Sequence, residues 1–263
     1  MADALHPEAI NLVRAGRRGG TPVVLVHPVG LDLTYWDAQI EALGAGFDII
    51  AFDLPGHGRS PGTPAECRLD HLAAVLAGVV RSAGTSGAHV VGLSVGGMIA
   101  QALAMSEPGL VRSLVLMDTA ASFPDSGREA LRARAVATRD GGMDAMIPTT
   151  LERWFAAETF RRRPDLIERV TRTLSAQDPH VNAAMWEMIA NLDLASGLHR
   201  IECPTLVLVG ALDQSTPLAL ARAIRDGIPQ AELHVVEGAS HMAALESPAI
   251  VNRHISRFLG GLP

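Results

Sequence analysis

Short runs of aliphatic and β-branched residues recur along the chain, and most are apolar at nearly every position rather than at every second one. They fall at Val23–His27, Asp48–Phe52, His89–Gly92, Ser113–Met117, Thr205–Val209 and Glu232–Val236. A strand with one buried face alternates apolar and polar side chains, whereas a strand covered on both faces reads as a near-continuous apolar run. Helical stretches lie between them, near Leu69–Ala83, Val95–Met105, Leu218–Ile228 and Pro248–Phe258. Strands alternating with helices predict an α/β fold, a mostly parallel sheet with helices on both faces. Pro204 and Pro229 punctuate element boundaries, where a missing N–H costs little. An antiparallel hairpin is expected around Ala9–Ala15.

The alternation stops between residues 121 and 196, which read as several helices without intervening strands. This predicts a division into a core, residues 1–120 with 197–263, and a helical cap, 121–196. The cap carries 10 arginines against 11 acidic residues, a mixture expected of a solvated helix surface. Its aromatic residues Trp154, Phe155 and Trp186 are expected to pack. Trp154 is also a candidate substrate contact, because a cap over a cleft turns its apolar side to the ligand.

One segment carries chemistry. Gly92-Leu93-Ser94-Val95-Gly96-Gly97 lies between the apolar run His89-Val90-Val91 and an apolar-periodic segment, Met98 to Met105. Glycine two residues to either side of a serine, between strand and helix, is the pattern of a nucleophile elbow. A serine hydroxyl needs a base within hydrogen-bond reach, and an imidazole base needs an acid to orient it. Asp213 follows the run Thr205–Val209, and His241 follows Leu233–Val236 and a short loop, so both are expected at the carboxyl ends of later strands. Asp118, which also ends a strand, is an alternative acid. His57, in a glycine-rich loop, and His234, inside a strand, read as structural.

Two donors are needed for an oxyanion. Val95 N–H, directly after the serine, is one candidate. The loop His27-Pro28-Val29-Gly30 supplies the other through Val29, since Pro28 has no N–H. His27 is expected to brace that loop.

The 263-residue chain is 48% hydrophobic and 19% charged, which suits a buried core. Its formal net charge of −6 argues against nucleic acid as a partner. All 22 basic residues are arginine; the absence of lysine excludes Schiff-base and P-loop chemistry. Gly56-His57-Gly58 continues to Pro61 rather than glycine, so no dinucleotide fingerprint forms and no cofactor is expected. No run approaches a membrane span, and Met1–Ile10 lacks the apolar region of a signal peptide. Cys67 and Cys203 have no metal-ligand spacing and read as reduced thiols of a cytoplasmic protein.

Taken together, His27-Pro28-Val29-Gly30, Tyr35-Trp36-Asp37, Asp53-Leu54-Pro55-Gly56-His57-Gly58-Arg59-Ser60, the Ser94 elbow, Gly210 to Asp213 and Ser240-His241 resemble the α/β-hydrolase superfamily over nearly the whole chain. Within it, Tyr35–Ile40, Trp154-Phe155 and the tail from Cys203 to Leu259 are most similar to the 3-oxoadipate enol-lactonase group and related esterases. The chain departs from that group at His27–Gly30, at the cap segment His180–Asn191 and at His241-Met242-Ala243, where substrate would be recognised. The resemblance implies a serine hydrolase acting on a small, mostly apolar ester or lactone, with Ser94, Asp213 and His241 as catalytic residues, Val29 and Val95 as oxyanion donors, and Trp154 and Met242 against the substrate. A second reading keeps the fold and cleaves a carbon–carbon bond of an aromatic ring-fission product; a basic pocket would favour it. A third is a ligand-binding receptor that turns little over.

Overall fold

The computed structural model describes residues 10–262. In chain order the elements are β1 (Leu12–Gly16), β2 (Pro22–Val26), α1 (Asp37–Leu43), β3 (Asp48–Phe52), α2 (Leu69–Ser82), β4 (Ala88–Leu93), α3 (Val95–Ser106) and β5 (Val111–Met117). Four helices follow, α4 (Asp125–Trp154), α5 (Ala157–Arg162), α6 (Pro164–Ser175) and α7 (Pro179–Ala190). The chain then runs through β6 (Thr205–Gly210), α8 (Leu218–Gly227), β7 (Ala231–Val236), α9 (Ala243–Glu246) and α10 (Pro248–Gly260).

The strands form one sheet in the order β1-β3-β2-β4-β5-β6-β7, parallel throughout except for β1. Every residue of β2, β3 and β6 is buried, which is why those runs are apolar at successive positions. The expected hairpin at Ala9–Ala15 is corrected. Ala9 lies outside the described residues, and the segment that follows is one edge strand, β1, which pairs antiparallel with β3 rather than with its chain neighbour. The helix α1 has no counterpart among the predicted elements.

Between β5 and β6 the chain makes only helices, apart from an isolated bridge of Ser122 with Asp193. That bridge and the Leu194 N–H, which donates to Ala121 O at 2.8 Å, pinch the two ends of the insertion together. The longest helix, α4, is broken at Gly142, whose φ of 76° interrupts the helical path, and it carries Pro148 beyond the break. It packs along α7 and α6. No helix among the described residues is long and apolar enough to cross a membrane. Cys67 and Cys203 are both unpaired, and burial pushes their thiols up to about 12 and about 11.

Candidate active site

The sheet register aligns the ends of four strands. Leu93 pairs with Met117, Met117 with Leu208, and Gly210 with Val236. Residues that leave β4, β5, β6 and β7 at their carboxyl ends therefore emerge along one edge, the usual location for a ligand site in an open parallel sheet. Ser94, Asp118, Asp213 and His241 are those residues.

Ser94 has φ 54° and ψ −120°, a region that L-residues visit at a cost of order 1–3 kcal/mol. The surrounding glycines permit it. A Cβ on Gly92 would overlap the backbone of Gly96, and one on Gly96 would overlap the Val26 carbonyl. Backbone atoms cannot move aside as side-chain ends can. The turn is held by the Ser94 N–H, which donates to Met117 O at 2.9 Å, and by the Thr119 hydroxyl, which donates to Ser94 O at 2.6 Å.

His241 Nε2 lies 3.1 Å from Ser94 Oγ, and His241 Nδ1 lies 2.9 Å from Asp213 Oδ2. A carboxylate can only accept, so Nδ1 carries the proton and Nε2 is free to accept from the serine. Asp213 is itself constrained. Its Oδ1 accepts from Ser215 N–H at 2.7 Å and Thr216 N–H at 3.0 Å, and its Oδ2 accepts from the Thr216 hydroxyl at 2.7 Å. Burial alone would raise the Asp213 pKa, but the His241 charge and the hydrogen bonds from His241 and Thr216 outweigh it, holding the carboxyl below its usual value. All three side chains are nearly sealed from solvent, with Ser94 at 5%, Asp213 at 6% and His241 at 2% exposure.

Asp118 stands differently. Its Oδ1 accepts from Gly210 N–H at 2.7 Å while its Oδ2 is buried without a partner. Burial, with the Asp213 charge adding to it, pushes its pKa well above the carboxylate range. Asp118 Oδ1 is committed to Gly210 N–H, and the pairing of His241 is with Asp213.

Val29 and Val95 are both fully buried, and among the described residues neither N–H meets an internal acceptor. Val95 opens α3, where the first N–H groups have no intrahelical partner. His27 fastens the loop that carries Val29: its Nδ1–H donates to Pro28 O at 2.8 Å, and its Nε2 accepts from Leu54 N–H at 2.9 Å. Burial lowers the His27 pKa and takes that of neighbouring His57 down to about 3, so both rings are neutral braces. His234 lies half-exposed on β7, beside His254.

Above Ser94 and His241 lies a cavity of about 380 Å³, lined on the insertion side by Phe123, Leu131, Met146, Trp154, Trp186 and Ile189. The Trp154 ring is 6.2 Å from that of His241. Met242 is corrected: it is fully buried and absent from the cavity wall, and its N–H donates to Trp154 O at 3.2 Å. The arginines of the insertion divide. Arg161, Arg162, Arg163, Arg169 and Arg172 form surface ion pairs, as a solvated face predicts. Arg134 and Arg153 do not; they line the cavity.

A family model described as alpha/beta hydrolase fold matches residues 21–248. The chain belongs to the α/β-hydrolase family. The chain is a hydrolase, as the curated relatives named below are. It is 27% identical over 94% of its length to 3-oxoadipate enol-lactonase 2 of Acinetobacter baylyi, covering 91% of that protein. It is 29% identical over 92% of its length to 2-hydroxy-6-oxononadienedioate/2-hydroxy-6-oxononatrienedioate hydrolase of Cupriavidus pinatubonensis, covering 88%. Among solved structures, a thermophilic esterase from Thermogutta terrifontis superposes with a TM-score of 0.89 at 32% identity, covering 96% of this chain and 93% of that one.

Two contributors to this hydrolase's site were not singled out by sequence. Thr216 was readable in principle, because Asp-x-Ser-Thr is a local turn in which a carboxylate accepts from the N–H groups two and three residues on. Glu246 had no local signal. Its Oε2 accepts from the N–H of Ser240, next to His241, at 2.6 Å. Its Oε1 accepts from Ala156 N–H at 2.8 Å and the Thr159 hydroxyl at 2.6 Å, both in the insertion. One carboxylate thus ties the histidine loop to the helices above it. Glu246→Ala leaves three donors without their acceptor, and should cost about 2–4 kcal/mol in urea unfolding and lower kcat more than it raises KM. Unchanged stability and kcat would show that this tie is dispensable.

Proposed function

We propose that this enzyme is a serine hydrolase that cleaves a small ester or lactone through an acyl-enzyme, without a cofactor, beneath the 121–196 insertion acting as a cap. The observation that carries this reading is the continuous relay from Ser94 Oγ to His241 Nε2 and from His241 Nδ1 to Asp213, at 3.1 and 2.9 Å. Ser94 Oγ attacks the scissile carbonyl as His241 Nε2 takes its proton. Asp213 stabilises the imidazolium and keeps its orientation. The tetrahedral oxyanion settles against the Val29 and Val95 N–H groups, donors already free of internal partners. His241 then protonates the leaving alkoxide, and next accepts a proton from the water that releases the acid and restores Ser94 Oγ–H. In a lactone the alkoxide stays tethered, so one hydroxy- or keto-acid leaves.

Carbon–carbon hydrolysis of a ring-fission product is the second reading, favoured by Arg134 and Arg153 in the cavity wall and by the likeness to the Cupriavidus hydrolase. A fluorophosphonate probe should add covalently to Ser94, located by peptide mass spectrometry. Failure to label would remove the serine mechanism in both forms. A turnover panel of aryl esters, lactones and a yellow ring-fission dienoate then separates them: the ester reading expects kcat/KM for esters or lactones to exceed that for the dienoate, and the reverse order overturns it.

A further inference from the structure

The loop that carries Val29 is not held by the sheet alone. Gly30, the next residue, has φ 76°, and a Cβ there would lie 2.8 Å from Leu174 Cδ2 and 3.1 Å from Asn182 Nδ2. Leu174 belongs to α6 and Asn182 to α7, both in the insertion. The neighbouring loop, whose Leu54 N–H donates to His27, is gripped from the same side. Gln177 Nε2–H donates to Gly56 O at 2.6 Å, and a Cβ on Gly56 would overlap Val181 Cγ1. The insertion therefore bears on two glycine loops of the core at once.

Asn182 stands out among these contacts because it is polar, buried and fixed. Its Oδ1 accepts from Trp186 Nε1–H at 2.8 Å, one turn along α7. An indole N–H can only donate, so oxygen faces Trp186 and the NH₂ is the end set against Gly30. Trp186 is part of the cavity wall, whereas Asn182 is absent from it. Val29 N–H meets no internal acceptor, so no hydrogen bond of its own keeps that donor in place. Its position falls to its neighbours. His27 fastens one side, and on the other Gly30 has the widest backbone freedom of any residue type. A donor serves an oxyanion only within about 2.7–3.1 Å, so small excursions at Gly30 are costly.

We propose that Asn182 is a positioning residue for the oxyanion hole: held by Trp186, it braces Gly30 and so fixes the Val29 N–H. The inference rests on the serine-hydrolase reading given above. It gives the insertion a part in transition-state stabilisation, with one hydrogen bond joining the substrate chamber to the oxyanion donor. The competing role for Asn182 is packing alone, seating α7 on the core without effect on the donor.

Phenethyl trifluoromethyl ketone and phenethyl methyl ketone separate these roles. Ser94 Oγ adds to the activated carbonyl of the first as its proton passes to His241, which leaves a tetrahedral oxyanion; the second stays trigonal. On the wild type, with p-nitrophenyl butyrate as reporter, the trifluoromethyl ketone should inhibit about 100-fold more tightly or better. Asn182→Ala should lower that ratio about tenfold or more, and lower kcat about 10- to 100-fold with KM changed little. Trp186→Phe, which loses the Nε1–H, should lower the ratio too, and the double variant should fall little further. Inhibition constants do not depend on how much of a preparation is folded; should Asn182→Ala not accumulate, Asn182→Ser gives the same reading. A ratio or a kcat that the Asn182 variant leaves intact overturns the positioning role. Absence of Ser94-dependent turnover, or a trifluoromethyl ketone no tighter than its methyl analogue on the wild type, overturns the acyl-enzyme reading instead.

Discussion

Ser94→Ala should lower kcat for a short p-nitrophenyl ester by about 10³-fold or more while leaving the circular dichroism spectrum unchanged. The expectation follows from what the substitution removes. The hydroxyl is the only group at the elbow that can form a covalent intermediate, and it lies 3.1 Å from the one imidazole nitrogen free to take its proton. The fold has little reason to respond. Ser94 keeps its backbone bonds to Met117 O and from the Thr119 hydroxyl, neither of which uses the removed oxygen. Residual activity comes from the donors and the cavity, which are untouched, so the variant also serves as the blank for substrate screens. Wild-type turnover in Ser94→Ala would refute the proposed nucleophile.

Asp213→Asn should reduce kcat by about 10³- to 10⁴-fold, although it alters no atom that touches substrate. Asparagine keeps one oxygen for the Ser215 and Thr216 N–H groups but places an amide NH₂ where Oδ2 now accepts from His241. Facing a donor, Nδ1 must become the acceptor, so the ring proton moves to Nε2. An imidazole protonated at Nε2 cannot take the proton of Ser94, and no carboxylate remains to stabilise an imidazolium. A loss below tenfold would mean that another acid serves the histidine. Among the described residues the nearby rival is Asp118, whose carboxyl burial pushes well above its usual range and whose Oδ1 is committed to Gly210 N–H. Comparing Asp213→Asn with the double variant carrying Asp118→Asn measures that reserve directly; the proposed assignment expects no large further loss.

The parts legible in sequence share one property: their signal is local. Strands buried on both faces announce themselves because each side chain must be apolar, and Asp48–Phe52 is bounded in the structure as the pattern predicts. The elbow is legible because the close approach of Gly92 to Gly96, and of Gly96 to Val26, excludes any side chain. Asp213 and His241 follow because parallel strands must present their carboxyl ends along one edge. β1 misled for a related reason. Its partner is β3, more than 30 residues on (Gly16 with Asp48), and a strand's own residues do not name its neighbour.

The amino-acid sequence by itself determined the fold class, the alternation broken by a helical insertion, and which serine, acid and base would meet. Each of these is written in short-range patterning and in strand order. Only the tertiary structure decided what surrounds them. Met242 went to the core and Trp154 to the cavity although both were candidates for the substrate wall. Glu246 joined Ser240 to Ala156, itself 90 residues before Glu246. Among ten cap arginines of similar local context, the packing of α4 on α7 turned Arg134 inward against Trp186. Composition counts charges without placing them; the fold decides which of them face the cavity.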